Sequence, residues 1–311
     1  MATEPTIALL NAAPVAQRSR AGRLFATMPD YWALTKPEVN FLILITTFAG
    51  FYLAPSSGPG GFRILLVLHT LLATLLVAGG TGTLNQFLER SFDAQMRRTV
   101  RRPVASGRIE ASHALWFGVS LSLAGTVYLA LAVNVLASLL AVVTLLSYLF
   151  LYTPLKRKTP LCTLVGAFPG AVPPLIGWAA ARGRLDPEAW VLYAMVFLWQ
   201  FPHFMAIAWM YREDYARAGY LVLPARELKD RLVIWQSLVT SLALILLSLI
   251  PAIAGESGPV YLVGALILGS IFLYYSARFA FRRSNVAARK LLTASIAYLP
   301  LVFILMMLDK R

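Results

Sequence analysis

In a chain of 311 residues, 59% are hydrophobic and only 14% charged. The soluble-protein norm is roughly 45–50% apolar and about 25% charged, and the mean hydropathy of +0.68 exceeds what one large core explains. The net charge of +14 invites a nucleic-acid partner, but the charges lie between long apolar runs. Anionic lipid or an anionic substrate accounts for them better, and nucleic acid is set aside. One cysteine, Cys162, excludes a disulfide scaffold and a Cys-rich metal site.

Residues 1–33 read as a mostly disordered cytoplasmic tail with only Glu4 and Asp30 as acids. No apolar run with a cleavage site precedes the first span, which argues against a secretory signal; a short mitochondrial presequence is the rival reading. Residues 34–311 read as a single membrane domain. Apolar runs of roughly 17–25 residues cross a bilayer as helices, and nine are expected, at about 37–54, 64–84, 112–132, 135–152, 161–180, 189–209, 232–252, 259–276 and 291–308. The fold class is therefore all-α and polytopic. Pro169, Pro173 and Pro174 with Gly166, Gly170 and Gly177 predict a kinked or close-packed fifth span, a re-entrant segment being the rival. The short join at Asn134 predicts an antiparallel hairpin of spans three and four.

Charge supports the count. With nine spans, 23 Lys and Arg residues fall on the side of the N-terminus and five (Arg63, Arg182, Arg184, Lys310 and Arg311) on the other. The positive-inside rule then puts the N-terminus in the cytoplasm and the C-terminus outside.

The stretch Asn85–Pro103 is the most informative. Asn85, Glu89 and Asp93 recur every four residues, so a helix continuing past the end of span two puts them on one face. Hard oxygen donors of this kind suit Mg²⁺, which often reaches protein through substrate phosphates. Arg98, Arg101 and Arg102 are placed to hold phosphate oxygens as guanidinium forks. An interfacial loop with solvated charges, basic only through the positive-inside bias, is the competing interpretation. On the same side lie Lys156-Arg157-Lys158 and the end of span six, where His203 sits two turns inside an apolar run. A buried histidine there needs a partner or a ligand. Glu213 and Asp214 are candidates for a second metal site or ordinary loop charges. Tyr148, Tyr152, Trp199, Phe204 and Trp209 belong to the interfacial aromatic belt, or line a cavity where their rings stabilise an allylic cation.

The pattern NxxxExxxDxxMxRTxxRP over Asn85–Pro103 resembles the first signature of the protoheme IX farnesyltransferases, a branch of the UbiA-type intramembrane prenyltransferases. The similarity continues in Leu34–Pro37, Tyr152–Thr159, Gly170–Trp178, Trp199–Phe204 and Arg212–Tyr215, in family order. It implies a nine-helix bundle around a central cavity, with Mg²⁺ as metal and farnesyl diphosphate and haem b as substrates, haem b being a substrate and not a cofactor. Asn85, Glu89 and Asp93 match the first metal-diphosphate motif; Lys36, Arg98, Lys156 and Arg157 match basic positions near phosphate. Glu213 and Asp214 fall in the region of the second acidic motif, without its repeated DxxxD. His203 matches a histidine expected near the porphyrin. Cys162 stands where Asn is usual. The resemblance also implies the bacterial inner membrane, with the mitochondrial inner membrane as the alternative, and haem A synthase or terminal-oxidase assembly as partner. Two further readings remain: a family enzyme with a quinone precursor or other aromatic acceptor, and a transporter for an anionic solute.

Overall fold

The computed structural model describes residues 28–55, 63–222 and 226–311, with backbone only over 226–234. Most of the tail assigned to residues 1–33, with its Arg18, Arg20 and Arg23, lies outside the described residues; residues 28–34 are helical.

Apolar runs have no water to satisfy their peptide groups in lipid, so helices take them up throughout. In chain order these are α1 (Pro37–Leu53), α2 (Ile64–Asp93), α3 (Ala111–Ala132), α4 (Val135–Leu155), α5 (Cys162–Gly170), α6 (Pro173–Arg182), α7 (Pro187–Met210), α8 (Arg212–Arg217), α9 (Arg226–Ser248), α10 (Ile250–Ile253), α11 (Pro259–Arg282) and α12 (Asn285–Leu308). Prolines open α1, α6, α7 and α11, where a missing N–H costs no intrahelical bond. Asn134 and Ser284 cap α4 and α12 by accepting from the Ala137 and Ala287 N–H groups.

Among the described residues, eight segments have the length and apolarity of a span, one fewer than the nine expected. The difference is α1, whose 17 residues reach roughly 26 Å at 1.5 Å per residue. Its ends nevertheless meet opposite ends of the bundle: Lys36 bonds to Asn85 near one end, and Lys310 donates to the Tyr52 and Ala54 carbonyls at the other. α6 packs against α1, with Gly50 and Gly177 at positions where a Cβ would strike the facing backbone. α2 pairs with α3, α7 bridges to α9 and α12, and α12 returns to α1, so the helices close on themselves.

The proline-rich fifth span is two helices, α5 and α6, divided at Ala171–Val172. Pro173 and Pro174 have no N–H with which to continue α5. Span four holds a π-helical segment, Ser147–Tyr152, before its last turn. Both the N–H and the hydroxyl of Thr153 reach the Tyr148 carbonyl, five residues back, and Pro154 follows with no N–H of its own.

Candidate functional site

α2 is 30 residues long, roughly 45 Å, against a hydrocarbon core of about 30 Å. Its last turns therefore extend beyond the apolar layer, still helical. They carry Asn85, Glu89 and Asp93 on one face as expected, and all three are buried by surrounding loops and helix ends.

Each of the three meets a basic side chain from elsewhere. Lys36 Nζ donates to Asn85 Oδ1 at 2.6 Å, and Asn85 Nδ2 donates to Thr153 Oγ1 at 3.2 Å. Lys156 Nζ donates to Glu89 Oε1 at 2.8 Å, as does the Tyr220 hydroxyl at 3.0 Å. One guanidinium nitrogen of Arg102 lies 2.9 and 2.8 Å from the two oxygens of Asp93. Lys36, just before Pro37, holds a left-handed backbone at φ 54°, a conformation that costs an L-residue about 1–2 kcal/mol. Strain of this kind survives where the surroundings over-determine it.

The remaining residues surround this core. Arg157 lies over the Phe92 ring at 4.4 Å, and Lys156 over Tyr152 at 4.6 Å. The rings of Tyr148 and Tyr152 are 5.1 Å apart, and Gly166 leaves the space that Tyr152 fills. Arg98 spans the rings of Tyr211 and Tyr215, donates to the Tyr215 hydroxyl at 3.1 Å, and directs its backbone N–H to Asp214 Oδ2 at 3.0 Å. Asp214 also pairs with Arg217. Glu213 is 77% exposed and stands apart, 3.9 Å from Arg212. Only Asp214 of that acidic pair is therefore drawn into the site. Cys162 is buried at the start of α5.

His203 occupies a separate position on α7. Its Nδ1 is 2.8 Å from Ser295 Oγ of α12, it stacks on Trp199, and Phe204 lies edge-on. Trp199 donates to the Ser295 carbonyl, so one residue of α12 holds both rings. Trp209 packs edge-on against Phe279 and under Arg212. Tyr220 lies in none of the sequence motifs: it sits in a loop with no periodic pattern, and its one cue is an aromatic just after the 212–215 motif.

Five bases (Lys36, Arg98, Arg102, Lys156 and Arg157) face three acids (Glu89, Asp93 and Asp214), leaving positive charge in excess. Desolvation lowers the pKa of Lys36 to about 7; Arg102 and Lys156 lower it too, against Glu89 and Asp93. Lys156 behaves oppositely: burial lowers its pKa, but the Glu89 carboxylate, aided by Tyr152 and Tyr148, carries it well above the usual value. No group of three His, Cys, Asp or Glu suited to a metal exists among the described residues. The oxygens do fit Mg²⁺ arriving with a diphosphate, because that ion needs only one or two carboxylates when phosphates and water complete its shell. A cavity of about 530 Å³ opens beside Glu89, lined by Leu88, Phe92, Leu149, Thr153 and Tyr220, with Arg157 and Lys158 also on its wall.

The family model for the UbiA prenyltransferase family matches residues 43–303. The chain belongs to the UbiA prenyltransferase family. Two curated relatives are similar over nearly their whole length. One, named protoheme IX farnesyltransferase, from Solibacter usitatus (strain Ellin6076), is 50% identical, covering 91% of this chain and 99% of the relative. Another of that name, from Koribacter versatilis (strain Ellin345), is 41% identical over 90% and 93%. Solved UbiA-fold structures agree in architecture. A digeranylgeranylglyceryl phosphate synthase superposes with a TM-score of 0.72 at 18% identity, covering 91% of this chain and 98% of that one. A UbiA homologue from Archaeoglobus fulgidus, bound to GPP and Mg²⁺, gives 0.62 at 16% identity, covering 89% and 99%. Family and apolar helices together make this an integral membrane protein.

Proposed function

We propose that the chain transfers a farnesyl group from farnesyl diphosphate to a vinyl group of haem b, with addition of water, giving haem O and diphosphate. The observation that carries the reading is Lys36: its ammonium is withdrawn from water beside a neutral amide oxygen, with no carboxylate partner among the described residues. With its pKa lowered to about 7 the group is only partly protonated, and a diphosphate would hold the proton on it and complete an ion pair. Arg102 and Lys156 lie close enough to act on Lys36, and Arg98 and Arg157 are assigned to the same diphosphate. The names of the relatives supply the acceptor and the prenyl chain.

Asn85, Glu89 and Asp93 would hold Mg²⁺ with the diphosphate oxygens, with Asp214 as the acid for a second ion. Bound there, the ion supplies electrostatic stabilisation of the leaving diphosphate. Arg102 then exchanges the Asp93 carboxylate for phosphate oxygens, and the positive cluster, with Lys156 still on Glu89, stabilises the charge left when the bond between farnesyl C1 and oxygen breaks. The departing diphosphate takes the electron pair. The vinyl carbon bonds to C1, and water adds to the cation on the porphyrin side and loses a proton. The paired rings of Tyr148 and Tyr152 would stabilise the farnesyl cation, and the apolar helices keep water from it before transfer. Trp199, His203 and Phe204 form the porphyrin side, with Trp209 nearby.

The surrounding membrane is the bacterial inner membrane, with the 36–220 site face in the cytoplasm and the C-terminus outside; residues 34–311 act as one domain, and a haem A synthase or oxidase-assembly factor receives the product. Concentration of the charges at one end of the bundle favours an enzyme over a solute transporter. Diphosphate release from farnesyl diphosphate tests the acceptor. Release that rises steeply with haem b supports the reading; release that responds only to aromatic quinone precursors overturns it.

A further inference from the structure

Tyr220 belongs to none of the motifs, yet its hydroxyl reaches the centre of the site. It donates to Oε1 of Glu89, the oxygen that Lys156 also bonds. Among the described residues no donor meets Oε2. Two donors on one oxygen fix the rotation of the carboxylate and leave the second oxygen uncommitted.

The rest of the loop holds this hydroxyl in place. The Tyr220 ring packs 5.9 Å from Phe92 and 6.0 Å from Tyr215, in a small core with Met96 and Ala218. Gly219, at φ 69°, makes the reversal that brings the ring inward, and the Leu221 N–H bonds to the Lys156 carbonyl at 2.6 Å. The donors on Glu89 are thus tied to each other as well as to the acid. Burial, then the nearby Glu89 charge, raises the pKa of Tyr220, so the hydroxyl remains a donor.

We propose that Tyr220 is a positioning residue for Glu89, holding one carboxylate oxygen so that the other is presented to a divalent cation bound with diphosphate. The proposal rests on the reading of the Asn85–Asp93 stripe as a metal-diphosphate site. Groups that orient a ligating carboxylate are worth about 10–100-fold in metal affinity or activity. Tyr220→Phe removes the bond and keeps the ring packing.

The test is Mn²⁺ binding to the full chain in detergent, read by electron paramagnetic resonance with saturating inorganic diphosphate. Tyr220→Phe is expected to weaken Mn²⁺ about tenfold or more, with an unchanged melting temperature and a Mg²⁺ activation curve displaced by the same factor. Because the effect passes through Glu89, adding Tyr220→Phe to Glu89→Gln should weaken Mn²⁺ no further. Wild-type binding that Tyr220→Phe leaves unaltered overturns the proposal alone, as does an equal loss in the Glu89→Gln background. Wild-type protein that takes up no Mn²⁺ overturns the metal reading and this proposal with it.

Discussion

Lys156 Nζ lies 2.8 Å from Glu89 Oε1, joining the end of α4 to the end of α2 across 67 residues of sequence. Both side chains are nearly buried, at 12% and 6% exposure. Removing one partner of such a pair strands a charge and costs about 3–5 kcal/mol. Lys156→Met should therefore lower the melting temperature in detergent, and adding Glu89→Gln should restore much of it without restoring turnover. A single variant as stable as wild type would contradict the pairing.

Asp93 is held by Arg102 through both oxygens, and Thr99 bonds to its carbonyl. Asp93→Asn keeps the shape and removes the charge proposed to bind metal. Turnover is expected to fall at least about 100-fold, the scale of losing one electrostatic stabiliser. Near-wild-type turnover in Mg²⁺ would remove Asp93 from the metal site.

Glu213 and Asp214 are neighbours in sequence but not in role. Glu213 projects outward, whereas Asp214 accepts the Arg98 N–H and pairs with Arg217. Glu213→Gln should leave steady-state turnover within about twofold, since exposed pairs are worth about 0–1 kcal/mol. Asp214→Asn should slow it tenfold or more, on the order of a lost charge-assisted bond. The reverse ranking would move the second acidic position to Glu213.

The stripe on α2 was legible because helical spacing survives beyond the membrane end, so Asn85, Glu89 and Asp93 share a face wherever the helix points. Their partners were not. Lys36 meets Asn85 across 49 residues and Lys156 meets Glu89 across 67, and no local periodicity encodes such distances. The break before Pro173 and Pro174 follows from missing donors, but the π-helical segment before Thr153 has no comparable signature. The short first span shows another limit: composition marked residues 37–54 as a span, while helix length depends on where Lys36 and Ala54 leave helical geometry.

His203 is held through Nδ1 by Ser295 and stacked on Trp199. His203→Ala should weaken haem b binding, followed by absorbance titration, at least about tenfold, or about 1.4 kcal/mol. Farnesyl diphosphate binding should change much less. Equal losses for both ligands would return His203 to a packing role.

The most direct measurement is the mass of the porphyrin formed by purified full-length protein with haem b, farnesyl diphosphate and Mg²⁺, beside a reaction with Mg²⁺ chelated. The expected product is haem b plus one farnesyl group and one hydroxyl group, formed only with the metal. Unmodified haem b from folded protein, or the same product after chelation, would contradict it.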